Sequence, residues 1–137
     1  MPDPSRLPSD DPREWLNRAR SDLALARRRS QDVYLEDLCF HAQQAAEKAI
    51  KAILIHQQVE FPYIHDIGQL LREVARTGIT VTEDLREVET LTRFAVISRY
   101  PGLGEPPRVR DHEKAVQLAR DVVAWADAIV MRSGEAI

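Results

Sequence analysis

The sequence predicts an all-α fold, an up-and-down bundle of about five helices forming one domain. Three observations carry this expectation. Apolar residues recur at intervals of three and four along most of the chain, the period of a helix with one buried face. Most of the eight prolines and five glycines fall between those runs, where helices must stop. A hydrophobic content of 44% with 30% charged residues, spread over 137 residues, suits a single soluble domain with one core.

The first helix is expected from Pro12 to Ser30. Asp11 can cap it, proline fits the first helical position, and Glu14 stands at capping-box spacing. Trp15, Ala19, Leu23 and Ala26 form its apolar stripe. The second helix is expected from Leu35 to Gln58, with Leu38, Ala42, Ala45, Ala49 and Ala52 facing inward and Cys39, Ala46, Ile50 and Ile53 flanking them. At ~1.5 Å per residue it would be about 35 Å long. Its alanines let a neighbouring helix approach closely, and Phe61-Pro62 forbids continuation.

A third helix is expected from Asp66 to Arg76, carrying Ile67, Leu70, Leu71 and Val74, with Gly78 as its stop. The fourth is expected from Glu83 to Ile97 after a Thr82 cap, lined by Leu85, Val88, Leu91 and Ala95. The stretch SRYPGLGEPPRVRDH, from Ser98 to His112, then breaks the pattern with three prolines and two glycines. The fifth helix is expected from Asp111 to Met131, with Gly134 ending it; Ala115, Ala119, Val122, Ala126, Ile129 and Val130 recur along it. Residues 1–10 read as a flexible N-terminal tail, 11–132 as the bundle and 133–137 as a C-terminal tail.

Charge and cysteine usage narrow the function classes. A net charge of -3 gives no global pull toward nucleic acid or anionic lipid, so any basic patch must be local. Such a patch has one candidate in Arg27-Arg28-Arg29, which otherwise reads as a solvated helix end. With Cys39 alone, no disulfide within the chain is possible, which fits a reducing compartment. Cys39 reads as a small core residue rather than a nucleophile. No run approaches the ~18 apolar residues of a membrane span, and the opening MPDPSRLPSDDP is not read as a secretory leader. A cytoplasmic location is the expectation. Neither the Glu-x-x-His of di-iron bundles nor a His-Glu-x-x-His helix occurs, so no metal and no cofactor are expected.

Four pieces in order carry a resemblance: Asp22-Leu23 with Ala26; CFHAQQAAEKAIKAIL from Cys39 to Leu54; His65-Asp66-Ile67 with Leu70-Leu71; and Arg99-Tyr100-Pro101. Together they resemble the prokaryotic HEPN family over about Asp11 to Val130. The resemblance implies an all-α bundle that forms a homodimer. It also implies a nucleotidyltransferase partner in a toxin–antitoxin-like pair, with a nucleotide or RNA as a further ligand; the lack of a long apolar run implies no membrane partner. A metal-independent ribonuclease is the alternative the resemblance raises, and a purely structural oligomeric bundle is the third.

That ribonuclease branch uses an arginine, four to six residues, then a histidine, to hold a phosphate and move protons. The spacing is absent here: Arg99 meets Gly104, Glu105 and Pro106 where the histidine should stand, and Arg108 lies too near His112. Arg99 and His112 are therefore only weak catalytic candidates. Arg99 and Tyr100 have two readings. They can finish the fourth helix and cover the bundle end, or they can face a phosphate or a partner. His41 and Lys48 share one face of the second helix with Gln44, either bonded to a neighbouring helix or set in a polar groove with Arg99. His65 and Asp66 read as the start of the third helix or as further site residues. The candidate nucleotide- or partner-binding set is thus Arg99, Tyr100, His41, Lys48, His65 and Asp66.

Overall fold

A computed structural model of the chain describes residues 5–61 and 66–135. These form an all-helical bundle: α1 (Pro12–Ala26), α2 (Leu35–His56), α3 (Ile67–Arg76), α4 (Glu83–Arg86), a 3₁₀ segment (Glu87–Arg93), α5 (Phe94–Ile97) and α6 (Val109–Glu135). No strand occurs among the described residues.

Capping explains where these helices begin. Asp11 accepts a bond from the Arg13 amide. Asp66 accepts from the amides of Gly68 and Gln69, and Thr82 from that of Leu85. Each satisfies a donor that the first turn of a helix leaves unpaired. Glu14 does not close a capping box; its carboxylate instead accepts the Leu7 amide at 3.0 Å. That bond and a second from the Trp15 indole to the Ser9 carbonyl tie residues 7–9 back onto α1. Accordingly the Glu14 carboxyl is held below its ordinary range, first by the Leu7 amide and then by Arg18.

Three helix ends differ from expectation. α1 stops at Ala26, so Arg27-Arg28-Arg29 belong to the turn that follows. α2 stops at His56, two residues before the expected Gln58. Gln58 adopts a left-handed φ of 59°, and the amides of Gln58 and Val59 bond back to the carbonyls of Ile55 and Leu54. This is the Schellman closure, built here without glycine. Gly134 does not end α6, which runs on to Glu135.

α2 is the central element, packed against α1, α3, α5 and α6. Its Ala42, Ala45, Ala46, Ala49 and Ala52 are wholly buried, as are Ile50, Ile53 and Leu54. The alanines add little apolar area each, but they allow α1 and α6 to come near enough for close packing. The stripe of α1 is turned from the expected one. Leu16, Ala19 and Ala26 are fully buried, whereas Trp15 and Leu23 lie half-buried at the core edge. Arg20 pairs with Asp127 across the exposed rim between α1 and α6.

The expected fourth helix is broken into α4, the 3₁₀ segment and α5. The residues it buries are Val88, Leu91 and Phe94. They recur every three residues, which is the 3₁₀ period and not the α period. Threonines 90 and 92 crowd the same stretch, and the Thr90 hydroxyl donates to the Glu87 carbonyl at 2.8 Å. Thr92 accepts the Ile67 amide at 3.3 Å and so ties this segment to the start of α3.

Cys39 lies wholly inside this core. Burial pushes its thiol up to about 12. The native protein is therefore expected not to react with a thiol-specific reagent at neutral pH, while the urea-unfolded chain reacts fully. Rapid labelling of the folded chain, followed by mass spectrometry, would show the thiol to be accessible after all.

Candidate functional site

Two groups of polar and aromatic side chains lie along the outer face of α2. Asp37, His41, Gln44 and Lys48 stand at successive helical intervals on it. From Asp37 to Lys48 this stripe spans ~16 Å, at ~1.5 Å per residue.

At the α1 side, Asp22 organises the first group. Its carboxylate accepts from Lys48 Nζ at 2.5 Å and faces His41 Nδ1 at 3.1 Å. With Nδ1 as the donor, the His41 ring is held by α1 and its Nε2 is left for another partner. The Phe40 ring meets the imidazole edge-on, 5.6 Å away. Beside this trio a recess of about 350 Å³ is lined by Arg6, Glu14, Asn17, Arg18, Ser21, Asp22 and Lys48. Arg18 is engaged by Glu14 at 2.8 Å. Sequence reasoning placed His41 and Lys48 together but missed Asp22 as their shared partner. The available signal was its position: Asp22 stands three residues after Ala19 and four before Ala26, on the buried stripe, where a carboxylate needs partners.

The second group lies at the end of the bundle. Gly102 and Gly104 take φ values of 82° and 96°, which turn the chain between α5 and α6 tightly. This loop and the start of α2 enclose a groove of about 620 Å³. Tyr34, Glu36 and Asp37 form one wall; Ile97, Tyr100, Leu103, Glu105 and Pro106 are among the residues of the other. Tyr34 and Tyr100 are 75% and 57% exposed. Arg99 is exposed but does not line this groove. Its side chain has no hydrogen-bond or ion-pair partner among the described residues. His41 and Lys48 do not line it either, so Arg99 is not gathered into one groove with them.

His112 takes a different place. Its ring is buried, and Nε2 lies 2.6 Å from the Ala26 carbonyl oxygen. As a donor there, it joins the first turn of α6 to the last turn of α1. Asp66 serves as the cap of α3, and His65 lies outside the described residues. Among the described residues, no cluster of three histidine, cysteine or acidic side chains is placed to hold a metal.

A third polar assembly runs inside the bundle and was not read from sequence. Glu47 and Lys51 are 3% and 5% exposed and bond at 3.1 Å. Gln43 donates to Glu47 at 3.0 Å, and Gln44 donates to Gln43 at 2.8 Å. The Lys51 ammonium also lies 5.9 Å from the Trp15 ring and 5.6 Å from the Phe61 ring.

The family model of the HEPN domain matches residues 12–129. The chain belongs to the HEPN family. Two solved structures resemble this fold. The crystal structure of ST0689, an archaeal HEPN homologue, has 28% identity and a TM-score of 0.69, covering 87% of this chain and 97% of that one. The crystal structure of TT1696 from Thermus thermophilus has 28% identity and a TM-score of 0.73, covering 88% and 98%. No curated protein matches the chain. Among the described residues, no helix of this HEPN protein is long and apolar enough to cross a membrane.

Proposed function

We propose that this HEPN protein is an interaction module acting with a nucleotidyltransferase partner, as one half of a toxin–antitoxin-like pair, and that it works as a homodimer in the cytoplasm. The observation that carries the reading is the state of Arg99 and Tyr100. Both are exposed where α5 gives way to the proline-glycine loop, and neither side chain has a partner among the described residues. Residues that only finish a helix would be expected to bond its last carbonyls. Loops held by a rigid scaffold are where binding residues concentrate. In this reading any nucleotide is held through Arg99 or Lys48, because the groove beside Tyr100 has no cation among its described lining residues. The ribonuclease alternative is disfavoured, since His112 is buried against the Ala26 carbonyl.

The test is co-purification with the product of the adjacent gene, assayed for nucleotidyltransferase activity and measured together with thermal melts. A charge-assisted bond to an arginine fork contributes about 1.5–3 kcal/mol. Arg99→Ala is therefore expected to weaken capture, or binding of ATP, by about tenfold or more while leaving the melting temperature nearly unchanged. Arg99→Lys should not restore the fork geometry. Unchanged binding with a melting temperature lowered by many degrees would assign Arg99 to the fold alone.

A further inference from the structure

The groove at the bundle end has a chemistry of its own. Its charged lining residues are Glu36, Asp37 and Glu105, all acidic. None of the three side chains has a hydrogen-bond or ion-pair partner among the described residues. The chain has arginines close by in sequence, at 99, 108 and 110, yet none of them lines the groove. Two tyrosine rings stand largely in solvent at its edges, their hydroxyls without partners among the described residues. Ile97, Leu103 and the prolines supply apolar surface between them.

These features select a ligand by physical chemistry. Three unpaired carboxylates around one concavity repel phosphate and attract a cation. Exposed tyrosine rings add a face on which a guanidinium or ammonium can rest. Apolar wall between the charges suits the methylene stem of an arginine or lysine side chain. A free metal ion is a poor match, because an open, tyrosine-walled groove does not gather oxygen ligands at metal distance. A nucleotide is excluded by the sign of its charge.

We propose that this groove docks an extended arginine- or lysine-bearing segment of a partner protein, with Glu36, Asp37 and Glu105 receiving its cations and Tyr34 and Tyr100 bracketing its stems. The proposal rests on the reading that the Tyr100 end faces the partner, and it names the chemistry of what the partner presents. A second copy of this chain fits less well. Its own run Arg27-Arg28-Arg29 is exposed but turned back at the end of α1, where the Arg28 amide bonds to the Leu25 carbonyl and the Arg29 amide to the Arg27 carbonyl, so that run is not extended.

The experiment titrates a short amidated peptide of alternating arginine and leucine, carrying a fluorescent label, into the full chain at low ionic strength. A glutamate–leucine peptide serves as the opposite-charge control. The Glu36→Gln, Asp37→Asn, Glu105→Gln triple variant is compared with a variant neutralised at Glu83 and Asp84, which do not line the groove. The arginine peptide is expected to bind wild type, to lose about tenfold or more in affinity for the groove variant, and to bind the control variant nearly as wild type, the size expected of three exposed charge contacts. Salt should weaken binding to wild type far more than to the groove variant. Equal losses in both variants would reduce the effect to net charge and overturn the proposal, as would no binding of the arginine peptide to wild type. Sedimentation of the same proteins covers the remaining case. A wild-type dimer that the groove variant turns into a monomer would give the groove to a second copy and overturn the proposal. The two readings fail separately. Loss of nucleotidyltransferase capture with peptide binding intact would sink the partner assignment but not the groove. The reverse pattern would sink the groove alone.

Discussion

Replacing Glu47 by alanine is expected to destabilise the protein by about 3–5 kcal/mol, the cost of leaving one member of a buried ion pair behind. Lys51 would keep its charge in a site that is 5% exposed, with the Trp15 and Phe61 rings as its remaining neighbours in that direction. Rings attract an ammonium, but they replace only part of its lost hydration. Gln43 would lose its acceptor as well. The measurement is urea unfolding at neutral pH, and the melting temperature should fall by roughly 10–20 °C for a chain of this size. A paired variant, Glu47→Leu with Lys51→Met, removes both charges and keeps similar volume. It should recover most of the loss, because apolar replacements of buried pairs are often neutral or better. A single variant that loses less than about 1 kcal/mol would mean that water reaches the pair.

Leu71→Ala is expected to cost about 2–5 kcal/mol, from the lost transfer energy and the cavity left behind. The physical setting makes this site sensitive. α3 has ten residues, and helices shorter than about 12–15 residues are not stable by themselves in water. It is held in place by Ile67, Leu70, Leu71 and Val74, all fully buried against α2 and the 3₁₀ segment. Removing one of the two large leucines should therefore loosen the whole helix. Urea unfolding measures the global loss, and amide exchange along α3 should rise more than along α2. Leu71→Met keeps the volume and should cost less than about 1.5 kcal/mol. Equal costs for alanine and methionine would show that shape, not burial, governs the position.

Most of the architecture was legible because α2 announces itself. A run from Leu38 to Leu54 with four alanines inward and a fifth beside them reads as a long helix with close neighbours, and Leu35–His56 is that helix. The α3 cap and stop were equally plain, in Asp66 and in Gly78 with its φ of 96°. The region 83–97 was misread because it was tested against the α period alone. Val88, Leu91, Phe94 and Ile97 keep a spacing of three, which the α template partly satisfies and the 3₁₀ template satisfies throughout. In the site, side chains on one helix could be grouped by spacing, which is why His41 and Lys48 were read together. Contacts between helices depend on rotation about each axis, and spacing does not report it. Asp22 beneath His41, His112 beneath Ala26, and the acidic wall opposite Tyr100 all belong to that second kind.

The 3₁₀ segment bears on how the Arg99–Tyr100 end behaves. Hydrogen bonds in a 3₁₀ turn are less well aligned than in an α-helix, and runs beyond three or four residues are uncommon. Here the run is seven residues long. It leads through a single α turn into Arg99 and Tyr100. The Arg99–Tyr100 end therefore hangs from a stretch whose backbone bonds are less well aligned than those of the long helices. Stability within a protein is graded, and local openings draw on its weakest units first. Opening of this stretch is expected to cost a fraction of the global unfolding energy, while α1, α2 and α6 keep their packing.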